Sequence, residues 1–95
     1  MPEMRFTIRW PDGATESCYS PSLVVRDHFA AGKVYRLDDF LARARTALSV
    51  ASERVQAKYG FPCSRALGQL ARIETAAAAF ANAADARVQI LSFEP

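Results

Sequence analysis

The sequence predicts an α+β fold, a two-layer sandwich in the order β-β-α-α-β, with a small, mainly antiparallel sheet and an antiparallel helical hairpin on one face. Three observations carry this reading. Met4 to Trp10 alternates apolar and polar residues strictly, and Arg87 to Phe93 does so nearly. Between them lie two long runs whose apolar residues recur every three or four positions. Period two marks a strand buried on one side, and the longer period marks an amphipathic helix. The 95 residues make one domain, large enough to bury a core without staples.

A β-hairpin occupies about residues 4–20. Met4, Phe6, Ile8 and Trp10 share one face, and Arg5, Thr7 and Arg9 the other. Pro11-Asp12-Gly13-Ala14 supplies the turn, since proline presets one dihedral and glycine accepts positive φ. Thr15 to Ser20 pairs back, and Pro21 and Ser22 end the strand or open a bulge. Residues 21–36 read as irregular. Leu23-Val24-Val25 either extends the second strand past a kink or forms a short edge strand. Arg26 to Lys33 reads as a loop or a single helical turn closed by Gly32, and Val34-Tyr35 as an extended pair leading into the first helix.

That helix spans about residues 37–59, with Leu37, Phe40, Leu41, Ala44, Ala47, Leu48, Ala51 and Val55 as its apolar stripe. Asp38 and Asp39 suit the positive end of the helix dipole. Gly60 fits the left-handed stop after Lys58, and Pro62 forbids continuation. A second helix spans about residues 64–82, N-capped by Ser64, with Cys63 the competing choice. Its stripe is Leu67, Leu70, Ile73, Ala77, Phe80 and Ala81. Gly68 costs about 1 kcal/mol relative to alanine, which predicts close packing at that turn. The short connection makes the helices antiparallel neighbours. The last strand, about residues 87–93, returns to the sheet, most simply beside the first. The uncovered sheet face then shows Arg5, Thr7 and Arg9 with either Leu91 and Phe93 or their partners on the last strand, a mixture suited to a partner surface or a two-fold homodimer.

Composition narrows the function classes. The net charge of +2 is spread along the chain, whereas a nucleic-acid binder calls for a basic patch or stripe. Cys18 and Cys63 form neither a CxxC pair nor a zinc set, and a lone disulfide between them would be unusual in a reducing compartment. The first residues lack the pattern of a secretory signal, and the weakly polar run Thr75 to Ala81 is far too short to cross a bilayer. The expectation is a soluble cytoplasmic protein with no membrane contact.

The candidate chemistry centres on the elbow between the helices, Lys58 to Arg65. Cys63 at a helix start, beside Arg65, is placed where a thiolate is favoured. Its plain reading, a small residue filling the elbow, outweighs that. Tyr59 and Phe61 read as aromatic anchors of the elbow against the sheet, with Tyr59 also a candidate helper. His28, the only histidine, could serve as a general base and could form a dyad with Cys63, but a loop imidazole at the surface is the simpler reading. Asp38 and Asp39 point about 100° apart on the helix and share no proton. Trp10-Pro11-Asp12-Gly13 is not a phosphate loop. Arg43, Arg45, Arg54, Arg65 and Arg72 lie across the hairpin, interrupted by Glu53 and Glu74, which reads as a solvated face rather than an anion site. No complete catalytic constellation, metal set or cofactor motif appears, so the reading leans away from an enzyme.

Seven segments together carry a resemblance: Met1-Pro2-Glu3-Met4, Arg9-Trp10-Pro11-Asp12-Gly13, Cys18-Tyr19-Ser20-Pro21-Ser22, Asp39-Phe40-Leu41-Ala42-Arg43, Ala51-Ser52-Glu53-Arg54-Val55, Cys63-Ser64-Arg65-Ala66-Leu67 and Leu91-Ser92-Phe93-Glu94. Spanning nearly the whole chain, they resemble the small bacterial family called nitrogen starvation response protein. The resemblance implies a gene cluster that also encodes a nitrilase, a radical S-adenosylmethionine protein, an acetyltransferase and a flavin-dependent oxidoreductase. It further implies nitrogen scavenging that includes cyanide, with products of that cluster such as the nitrilase as partners. It assigns no role to any single residue. The expectation is a non-catalytic accessory or protein-interaction component of nitrile or cyanide nitrogen assimilation. The alternatives are a small thiol-dependent enzyme or carrier using Cys63, and a nucleic-acid-binding regulator.

Overall fold

The computed structural model describes residues 3–94. The fold is α+β. A four-stranded antiparallel sheet is covered on one face by helices. Strand β1 (Met4–Arg9) pairs with β2 (Thr15–Ser20) on one side and with β4 (Arg87–Glu94) on the other. The last strand therefore does lie beside the first. Strand β3 (Val34–Arg36) closes the far edge against β4. At the hairpin turn, Gly13 takes φ +90° and Asp12 Oδ1 accepts the Ala14 amide at 2.9 Å. Only a residue free of a Cβ adopts that dihedral cheaply.

The alternation of β1 sets the core. Met4, Phe6, Ile8 and Trp10 are buried, while Arg5 and Arg9 are exposed. The rings of Phe6, Phe29, Phe40, Trp10 and Phe80 follow one another through the core with centroids 5.4–6.2 Å apart. Such contacts add about 0.5–1.5 kcal/mol each beyond the area they bury. The indole of Trp10 donates to Glu16 Oε1 at 3.0 Å, so its one polar atom is satisfied.

Residues 23–25 depart from the strand expectation. Val25–His28 is a single helical turn, α1, reached through a turn at Leu23 and Val24. Ser22 is the cause. Its hydroxyl accepts the Val24 amide at 3.3 Å, and Arg54 donates to the same oxygen at 3.2 Å. A serine oxygen offered to nearby amides competes with strand pairing and starts a helical turn instead.

Helix α2 (Leu37–Tyr59) buries Phe40, Ala44, Ala47, Leu48 and Ala51, and stops at Gly60 with φ +87°. Helix α3 (Ser64–Ala78) runs back along it. Three details of α3 differ from the sequence reading. Its N-cap is Cys63, the competing choice in the sequence, without a side-chain cap bond, so the favoured Ser64 is already helical. The α-helix ends at Ala78, and the chain continues through tight turns to Ala83. Its buried face is Ala66, Ile73 and Ala77, with Leu70 half-buried, while Leu67 points outward. Gly68 also faces open space, with nothing within 4 Å of where a Cβ would stand, so close packing does not explain it.

The last strand holds a second difference. Thr7 is opposite Ser92 but Ile8 is opposite Ile90, so Leu91 is an extra residue in a β-bulge. A bulge shifts the alternation by one. Phe93 consequently stands opposite Phe6 and packs against the core, not on the uncovered face. Ser92 and Glu94 take the uncovered positions, where Thr7 and Ser92 donate to Glu94 Oε1 at 2.7 and 3.1 Å.

Candidate functional site

The elbow is built by two stop signals in succession. Gly60 ends α2 by donating its amide to Gln56 O at 2.8 Å, and Pro62 keeps the chain extended until Cys63 opens α3. The Cys63 amide donates to Ser52 Oγ at 3.1 Å, so a buried serine on α2 ties down the start of α3. The other side of the elbow meets the sheet edge. Gln69 Oε1 accepts the Tyr19 amide at 2.9 Å, and the Arg65 guanidinium lies 3.9 Å from the centroid of the Tyr19 ring. Farther along, Arg72 donates to Glu16 at 3.1 Å. Helix α3 thus covers the outer edge of β2, satisfying an amide that would otherwise be an open template for another strand.

A shallow cavity of about 200 Å³ opens here, lined by Glu3, Tyr19, Pro21, Val55, Tyr59 and Cys63. It falls short of the roughly 300–1,000 Å³ of ordinary small-molecule sites. Burial, and then the Glu3 carboxylate, push the Tyr19 phenol above its ordinary value, with Arg65 opposing them. A larger hollow of about 370 Å³, mostly apolar, lies at the opposite end of the hairpin between Leu37, Leu41, Ala77 and Ala81, where Arg45 and Glu74 pair at 3.5 Å.

Of the residues singled out from sequence, Cys63 and Tyr59 share the elbow cavity and Arg65 stands beside it on Tyr19. His28 does not join them. Its carbonyl accepts Arg43 Nη1 at 2.9 Å, whereas Cys63 is held by Ser52, nine residues further along α2. Those two anchor points are about 13 Å apart along the helix axis, so His28 and Cys63 are held over different turns of α2. Both cysteines are free thiols. Cys18 is buried in the core face, and burial, with Glu16 adding to it, pushes its thiol up to about 12.

The aromatics of the elbow do not anchor it to the sheet. Tyr59 is 54% exposed, Phe61 65% and Leu67 43%, and these are three of the five large hydrophobic side chains exposed among the described residues. Lys58 leans over the Tyr59 ring at 5.6 Å. Sequence reasoning missed this patch because Leu67 fits a helical stripe equally well one position away. It also missed Tyr19, which no motif marks.

Among the described residues no group of histidine, cysteine and carboxylate side chains is arranged to hold a metal ion. No helix among them is long and apolar enough to cross a membrane. Fold and elbow define a small two-layer α+β protein with an exposed apolar surface beside a shallow cavity. The chain belongs to the family of the nitrogen starvation-induced protein NitG, whose family model matches residues 5–93. No curated protein and no solved structure matches the chain.

Proposed function

We propose that this chain is a non-catalytic accessory protein of the nitrogen-starvation response, and that it works by docking on another protein through its elbow. Membership of the NitG family supports the physiological setting. The observation that carries the docking role is the exposure of Tyr59, Phe61 and Leu67 around one short turn. Large apolar side chains exposed at one elbow, with the Lys58 ammonium over the Tyr59 ring, have the composition of an interface centre with a charged margin. The elbow is also rigidly backed by the Ser52 and Gln69 hydrogen bonds, so docking requires little ordering.

The partner belongs to nitrile or cyanide assimilation in the cytoplasm, and a nitrilase encoded beside this protein is the first to test. Purified nitrilase passed over the immobilised chain is retained, and Phe61→Ser with Leu67→Ser abolishes retention while the fold is kept. Equal retention by wild type and variant, or none by either, contradicts the reading. The competing thiol role makes a different prediction, because Cys63→Ala would then remove the activity that Phe61→Ser spares. The cavity around Cys63 is the observation in its favour, and its small size weighs against it.

A further inference from the structure

The sheet face turned away from the helices carries Arg5 and Arg9 from β1, Arg36 from β3 and Arg87 from β4, all exposed. Within the strands, Glu94 is the only carboxylate on that face, and its Oε1 is already engaged by Thr7 and Ser92. Four arginines there exceed the whole chain's net charge of +2. The charge that looks scattered in sequence is gathered by the register.

Arg36 and Arg87 stand directly opposite each other across β3 and β4. Like charges at directly opposed positions destabilise a strand pair. Two residues along β4, Gln89 stands opposite Arg9 on one side and Val34 on the other. Arg36 has only a long, exposed pairing with Asp38 at 3.8 Å, and Arg9 and Arg87 make no ion pair among the described residues. Val34, 45% exposed, adds an apolar point of contact amid the cations.

Two occupants are disfavoured by this arrangement. A two-fold dimer through this face sets four arginines against four. Single-stranded nucleic acid needs aromatic platforms for its bases. Here Phe6, Trp10 and Tyr35 are buried on the other face, and Tyr19 at the corner lies under Arg65. Guanidinium forks match carboxylates bidentately, and threonine, serine and glutamine beside them supply neutral hydrogen bonds.

We infer that the open sheet face is a docking surface for an acidic protein segment, whose carboxylates are received by Arg9, Arg36 and Arg87 and neutralise their mutual repulsion. This rests on the accessory-protein reading above, and adds a second contact surface to it.

Fluorescence anisotropy of a labelled glutamate-rich peptide, with the full chain as titrant, tests it. Charge-matched single-stranded and duplex oligonucleotides serve as competing probes. The peptide binds, binding weakens with salt, and Arg9→Ala/Arg36→Ala/Arg87→Ala weakens it at least about tenfold, the scale of lost interfacial charge pairs. Arg26→Ala/Arg45→Ala/Lys58→Ala, which removes as many cations from the helical side, leaves it within about twofold because those groups lie outside the surface. Equal effects of the two triple variants, or tighter binding of either oligonucleotide than of the peptide, overturn the inference. Phe61→Ser/Leu67→Ser leaves peptide binding unchanged, so the elbow reading and this one fail separately.

Discussion

Phe40 and Phe61 belong to the same helical hairpin and stand in opposite surroundings. Phe40 is fully buried, with Trp10 edge-on at 5.8 Å and Phe29 at 5.4 Å, whereas Phe61 projects from the elbow into solvent. The same side chain therefore stabilises the fold in one place and supplies only surface in the other. The hairpin is held by its sheet-facing stripe, and its elbow is secured by hydrogen bonds instead of aromatic packing. The largest effect expected is at the buried end. Phe40→Ala removes ring contacts on two sides and leaves a cavity, costing about 3–5 kcal/mol. Chemical denaturation reads this as a large drop in midpoint, and an unchanged midpoint would separate Phe40 from the core.

The two cysteines repeat the contrast. Cys18 faces the core and Cys63 the elbow cavity. The Cys18 thiol ionises near 9.0 in the unfolded chain but only at about 12 in the fold, because burial and the nearby Glu16 disfavour the thiolate. A raised folded value gives stability that is whole below pH 9 and lost as pH climbs from there towards 12. Each pH unit in that window removes up to about 1.4 kcal/mol. The stability difference between wild type and Cys18→Ala, measured by denaturation at stepped pH, should therefore shift steadily in the variant's favour above pH 9. A difference that stays constant from pH 8 to 11 would contradict the burial of this thiol. Native-state alkylation gives the same contrast by mass, with Cys63 modified and Cys18 spared.

The buried side of this contrast was far more legible in the sequence than the exposed side. Strict alternation in Met4 to Trp10 leaves no choice of face, and the Phe40, Ala44, Ala47, Leu48, Ala51 spacing does the same for α2. Both signals work because a whole periodic set must move together to change face. Where a single local event resets the period, the signal misleads. The unpaired Leu91 turns Phe93 inward, and alternation alone does not reveal a bulge. In α3, alanine is so frequent that the buried face rotates with little cost, which places Ala66 inside and Leu67 outside. The arginine surface was illegible for a different reason. Arg9, Arg36 and Arg87 are distant in sequence and meet only through strand order and register.

Gly68 offers a smaller and opposite effect on the exposed side. It stands in a regular helix with open space where a Cβ would be. Gly68→Ala should stabilise the fold by about 1 kcal/mol, through helix propensity and reduced unfolded-state freedom. Thermal melting reads this as a rise of several degrees. A fall would mean that something approaches α3 at this turn.

The smallest stability effect belongs to the elbow tip, where it is most informative. Phe61 is neither in the core nor packed against another ring, so Phe61→Ser should change stability by no more than about 0.5 kcal/mol. Removing an exposed apolar group also lowers the tendency to self-associate. If the elbow is a docking surface, the same substitution that leaves the melting temperature nearly fixed removes the association with its partner. That pairing is what separates the two ends of the hairpin, since Phe40→Ala loses binding only because it loses the fold. A Phe61→Ser protein that melts several degrees lower would instead mean that the elbow contributes to stability, and the contrast between Phe40 and Phe61 would reduce to one of degree.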